Sequence, residues 1–132
     1  MLAPCTNQAE GPRRETIFER YGGFATVSRI VSSFYDEALD SPVLSPYFVG
    51  VDTKTLIDHQ TKFVASMMGG PASYSNEHLE RVHKHLGIDE PSFEEMCDLF
   101  RETLEDFEWD ESDIAHIIGE IQSRKIFIIH ER

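Results

Sequence analysis

The chain has 132 residues, enough for one domain with a sizeable hydrophobic core and short for two. A composition that is 40% hydrophobic and 27% charged argues against wholesale disorder, and 24 Asp plus Glu against 12 Lys plus Arg give a formal charge of −12. That balance disfavours nucleic acid and anionic membrane as partners, because either would have to approach like charge. No apolar run reaches the roughly 20 residues that span a bilayer, and two cysteines, Cys5 and Cys97, are too few for a disulfide scaffold. A cytoplasmic protein is the default expectation, with Cys97 as a small core residue.

Residues 1–15 hold Pro4, Gly11 and Pro12 with few apolar side chains and read as a loosely held leader; residues 16–132 read as the domain. From Thr16 onward the apolar residues recur with helical spacing, and no sustained period-two alternation occurs. Ile17, Phe18 and Tyr21 form one short amphipathic turn, stopped by Gly22-Gly23. Phe24, Val27, Ile30, Val31, Phe34 and Leu39 mark a long helix running to about Asp40. Pro42 and Pro46 bracket a connector that ends in Tyr47-Phe48. Asp52 is a good N-cap for a helix whose stripe runs Leu56, Gln60, Phe63, Val64, Met67, ended by Gly69-Gly70-Pro71. A short helix is expected over about 76–86, with Gly87 as its C′ residue. Phe93, Met96, Cys97, Phe100, Leu104 and Phe107 form the next stripe. One last helix, capped by Asp110 or Ser112, carries Ile114, Ile117, Ile118, Ile121 and Ile128. The fold class is all-α, and the glycine pairs imply tight corners between helices that are not simply antiparallel.

Three polar residues, Tyr35, Gln60 and His83, fall at inward positions of these stripes. A buried polar group costs about 1–3 kcal/mol unless it finds a partner, so three directed at one core suggest something bound there. His83 shares a helical face with Leu79 and Leu86. It reads either as a core histidine bonded to a carbonyl or as a metal ligand, such as the axial imidazole a heme iron needs. His78 and His85 fall on other faces and read as solvated. Tyr35 and Gln60 read either as ordinary helix residues or as donors to a dioxygen ligand that has taken up electron density. A hydrogen bond to such a charged group is worth about 1.5–3 kcal/mol. Val31, Phe48, Leu56, Phe63 and Met67 would supply apolar walls.

From Thr16 onward the sequence resembles the group I truncated hemoglobins, the two-over-two globin sandwich with a short proximal helix. The resemblance rests on Tyr21-Gly22-Gly23, Phe34-Tyr35, Tyr47-Phe48, His59-Gln60-Thr61-Lys62-Phe63, Gly69-Gly70-Pro71 with Tyr74, and Arg81-Val82-His83 followed by Leu86-Gly87-Ile88. Each motif is weak alone, and their order over more than 110 residues is specific. The resemblance implies heme b as cofactor and His83 as proximal iron ligand. It puts Tyr35 and Gln60 at the distal hydrogen-bonding positions and Leu56 where older globins carry their distal histidine. Phe48 matches the ring wedged against heme; Phe63, Leu79, Leu86, Met67 and Val31 line the pocket; Tyr74 and Arg81 are candidates to meet a propionate. Val64 stands where some relatives carry a phenylalanine proposed to gate a ligand tunnel. Ser123 stands roughly where some cyanobacterial members carry a histidine joined to a heme vinyl, so the heme is expected to be non-covalent.

His59 stays open between a rim position near a propionate and a sixth iron ligand, since some relatives place a coordinating histidine there. The implied function is reversible binding of O2, NO, CO or similar small ligands, with nitric oxide dioxygenation as a further activity that would need an electron-donor reductase. A monomer is expected. Two other classes compete. Glu80-x-x-His83 and Asp113-x-x-His116 have the acid–histidine spacing of a non-heme di-iron site, although no inward Glu appears on two further helices. A plain α-helical interaction module would satisfy its polar residues internally.

Overall fold

The computed structural model describes residues 16–70, 75–84 and 86–129. The expected leader, Cys5, Tyr74, His85 and His130 lie outside the described residues. Among the described residues seven α-helices follow in order: α1 Ile17–Arg20, α2 Gly23–Asp40, α3 Thr53–Met67, α4 Asn76–His83, α5 Glu90–Asp106, α6 Glu111–Ser123 and α7 Lys125–Ile128, with a 3₁₀ turn Ser45–Phe48 after α2. No strand occurs among the described residues.

Local chemistry sets most of the boundaries. Thr16 begins α1 with a capping box: its hydroxyl accepts from the Glu19 amide while the Glu19 carboxylate accepts from the Thr16 amide. Asp52 caps α3, Ser75 caps α4 and Asp89 caps α5, each accepting from a backbone amide three residues on. Asp110 occupies the N-cap of α6 without a side-chain cap bond. The glycine corners meet each other. The Phe18 amide donates to the Met68 carbonyl at 2.9 Å, which ties α1 to the end of α3. Gly22 has φ +105°, and a Cβ there would sit 2.5 Å from Thr26 Oγ1, so any other residue would be strained and would have to displace Thr26.

α2 packs along α3 and against α5, and α5 packs on α6, giving the two-over-two arrangement. The core between them holds Val27, Ile30, Val31, Phe93, Leu104, Ile114 and Ile117, all essentially inaccessible to water. Cys97 is buried there too, and burial pushes its thiol up to about 11.

The structure departs from expectation at four places. Phe24 and Leu39 are exposed, and Ala38 takes the core position at the end of α2. α4 ends at His83, three residues early, with Leu86 in the following turn. Phe107 is the C-cap of α5 and lies outside the helix. The expected single last helix breaks at Arg124. Ser123 Oγ and Arg124 Nη1 both donate to the Glu120 carbonyl, at 2.7 Å each, and so finish α6; the displaced α7 then packs against α4.

One feature of the fold is silent in helical periodicity. Arg20 grips Asp113 through two hydrogen bonds of 3.0 and 2.9 Å, and the Tyr21 hydroxyl donates to the same carboxylate at 2.7 Å. Asp113 is buried, and its carboxyl is held below the ordinary range chiefly by the Arg20 hydrogen bonds. Trp109 stacks on Tyr21 with centroids 4.1 Å apart and planes 8° from parallel. This cluster fastens α1 to the start of α6.

Candidate functional site

α3 and α4 do not close against each other. A cavity of about 750 Å³ lies between them, walled also by α2, α5 and the 3₁₀ turn, and its lining is mostly apolar. Leu56, Phe63, Val64 and Met67 reach it from α3, Val31 from α2, and Phe48 from the 3₁₀ turn. Leu79 and Leu86 line it from the α4 side. The polar residues singled out by the sequence, Tyr35, His59, Gln60 and His83, all line the same cavity.

Tyr35 comes from the buried face of α2, where its ring meets Phe34 and Phe48 edge-on at 4.9 and 5.4 Å. Burial raises its phenol pKa well above the ordinary value, so the hydroxyl stays protonated and available as a donor. Neither that hydroxyl nor the Gln60 side-chain amide has a hydrogen-bond partner among the described residues. Two unpartnered polar groups on an apolar wall are costly unless a ligand satisfies them. His83 is half-buried at the C-terminal end of α4, with Nδ1 2.7 Å from the Leu79 carbonyl. A carbonyl can only accept, so Nδ1 is the donor, which makes Nε2 the nitrogen that a metal would take from the neutral ring. The donor set and the apolar walls therefore fit a flat, largely apolar group with a metal at its centre.

Not every candidate lies where the sequence suggested. His78, expected in solvent, lines the cavity, with Nδ1 3.0 Å from Arg81 Nη2. Arg81 itself is exposed and stands outside the lining. His78, Leu79, Val82 and His83 all line the cavity, so it takes in more than one face of α4, which a single-stripe reading misses. His59 is exposed at the cavity mouth. Phe93, Met96 and Phe100 from α5, with Ile121 and Ile128, complete the walls. Periodicity assigned these five to the inside, but a core wall and a cavity wall carry the same stripe.

The acid–histidine pairs do not assemble. Asp113 is committed to Arg20 and Tyr21, Glu80 is exposed, and no group of three or more His, Cys, Asp or Glu able to hold a metal ion occurs among the described residues.

Residues 16–129 match the family model described as bacterial-like globin. The Group 1 truncated hemoglobin GlbN of Mycolicibacterium paratuberculosis is 33% identical over 73 residues, 55% of this chain and 54% of that protein, so the match spans about half the length of that relative. The Group 1 truncated hemoglobin of Tetrahymena thermophila is 25% identical over 94 residues, 71% of this chain and 78% of its own length. Among solved structures, the truncated hemoglobin of Tetrahymena pyriformis in its Fe(III) form superposes with a TM-score of 0.80 at 21% identity, covering 89% of this chain and all of that one.

Proposed function

The chain belongs to the bacterial-like globin family, whose members bind heme and small gaseous ligands such as dioxygen, and we propose that it holds a non-covalent heme b through His83. Heme, when bound, supplies an iron site for a diatomic ligand. The remaining work falls to this chain's side chains. Tyr35 and Gln60 donate hydrogen bonds to the ligand, Phe48 and Phe63 pack on the porphyrin, and Leu56, Val31 and Met67 keep water out. The observation that carries the reading is the pair of unpartnered donors, the Tyr35 hydroxyl and the Gln60 amide, on the wall of an apolar cavity that also takes in His83. Ser123 is exposed and bonded to the Glu120 carbonyl, a placement that supports a heme without a covalent tether at that residue.

Within that reading, nitric oxide dioxygenation is the activity a ligand-retaining distal pocket serves, with NO and CO as further ligands, a separate reductase as electron donor and a monomer as the working form. Stopped-flow mixing of the dioxygen-loaded protein with nitric oxide tests it. Wild type should yield stoichiometric nitrate. Tyr35→Phe should release dioxygen roughly 10- to 100-fold faster, the equivalent of one hydrogen bond to a charged group. An unchanged release rate, or nitrate no faster than in free solution, would overturn the assignment. His59, exposed at the mouth, is proposed to sit beside the porphyrin edge. A low-spin ferric spectrum that turns high-spin in His59→Ala would instead make it the sixth ligand.

A further inference from the structure

We propose that Lys125 is a positioning residue for His83: clamped by Glu90 and Glu94, it seats α7, and α7 sets where α4 presents its imidazole; this rests on the heme reading above. The placement of His83 has two parts. Within α4, Nδ1 of the ring is 2.7 Å from the Leu79 carbonyl one turn back, which ties the ring to its own helix. Where that helix lies relative to the cavity is a separate matter. α4 is eight residues long with Leu79 as its buried residue, and a helix that short is marginal without tertiary packing. Its principal packing neighbour among the described residues is α7.

α7 is shorter still, four residues, and the Ser123 and Arg124 caps on the Glu120 carbonyl separate it from α6. Ile128 holds one end by burying its side chain at the cavity wall. At the other end Lys125 Nζ reaches across to α5, where it meets the Glu90 carboxylate and lies 3.2 Å from Glu94 Oε2. Glu90 and Glu94 are one turn apart, so both carboxylates approach the ammonium from one face of α5. Gln122 Nε2 donates to the other Glu94 oxygen at 3.2 Å, which holds that carboxylate in place. The Lys125 side chain is 28% exposed, so these ion pairs are screened less than those of a fully solvated lysine. α5 is itself fixed in the core through Phe93, Cys97, Phe100 and Leu104. Lys125, Glu90 and Glu94 stand outside the cavity lining, so whatever they do to a bound heme is done through α7 and its neighbours.

The iron–histidine stretching band of the ferrous, ligand-free protein, measured by resonance Raman, reads the seating of His83. Heme release to an excess of an apoglobin acceptor reads its consequence. Lys125→Met keeps the aliphatic stem and loses the charge. It should broaden the band and move it to lower frequency, because a loosened α4 holds the imidazole less firmly on the iron. Heme release should be roughly two- to fivefold faster, the scale of a partly exposed ion pair. Lys125→Arg, which keeps the charge, should keep the wild-type band. The double variant Glu90→Gln/Glu94→Gln leaves an oxygen for Gln122 and should reproduce the Lys125→Met band; adding Lys125→Met to it should change nothing further. Ile117→Ala is the control, a buried position outside the cavity lining that should lower stability and leave the band where it is. The carboxylate variant tests the clamp from α5, so a Lys125→Met protein that folds poorly does not spare the proposal. An unmoved band in either charge-removing variant, or an equal shift in Ile117→Ala, would overturn it. A wild-type chain that takes up no heme, or a His83→Gly chain that holds it equally well, would instead defeat the heme reading itself.

Discussion

At the corner where α1 meets α6, Asp113 is satisfied three times over by Arg20 and Tyr21, and Trp109 covers the Tyr21 ring with its own Nε1 fully enclosed and unpartnered among the described residues. In the cleft between α3 and α4 the pattern reverses. Tyr35 and Gln60 have no protein partner, while Val51, Val82 and Leu86 are each about 40% exposed around the cavity. The first region meets its carboxylate, guanidinium and phenol from the chain alone and leaves only the indole N–H over. The second is complete only when a ligand occupies it, so the two should respond differently to substitution and to removal of heme.

The largest effect should come from the cleft. His83→Gly should purify colourless or badly under-loaded, read by Soret absorption per mole of protein, and should unfold at the temperature of heme-free wild type, since a ligand that binds only the native state stabilises it by mass action. A variant as red as wild type would remove the central contrast. Next comes the self-sufficient core. Ile117→Ala, at a position with no accessible surface, should cost about 2–4 kcal/mol in denaturant unfolding of the heme-free protein while the heme spectrum stays unchanged. A shifted spectrum would mean that core and cavity are coupled.

Asp113→Asn should cost less, about 1–2 kcal/mol, because Arg20 is itself 40% exposed and solvent screens the pair. Its pH dependence has a definite sign. The Asp113 carboxyl is held low in the folded chain, chiefly by the Arg20 hydrogen bonds, so its contribution is fully present above the ordinary carboxylate pKa of about 3.9 and disappears as pH falls through the lowered value. The stability gap between wild type and Asp113→Asn in the heme-free protein should therefore be constant near neutrality and close below about pH 4. The smallest effect lies at the end of α5. Glu108 has φ +63° in the left-handed region, and the Trp109 amide there donates to the Leu104 carbonyl, the helix-ending geometry that favours glycine. Glu108→Gly should raise the unfolding midpoint slightly, by the equivalent of about 0.5–1 kcal/mol.

Much of this architecture is legible in the residues. Asp52 as a cap, the Gly22-Gly23 corner and the stripe of α3 from Leu56 to Met67 follow from local energetics, so their positions agree with the structure. Where the reading failed, the deciding interaction was non-local or side-chain specific. The break before α7 depends on two side chains capping one carbonyl, which leaves the isoleucine spacing untouched. At the end of α2 it is Ala38, one residue from the exposed Leu39, that faces the core. The Arg20–Asp113 pair joins residues 93 apart in sequence, beyond the reach of any window.

The amino-acid sequence by itself determined the helical class, the glycine corners, and the identities of Tyr35, Gln60 and His83 as polar groups on apolar faces, because each is written in spacings of three and four residues and in backbone freedom. Only the tertiary structure decided that those three share one cavity with His78, and that Arg81 stays outside it. That outcome turns on how separate helices pack around one space, which no window of three or four residues contains.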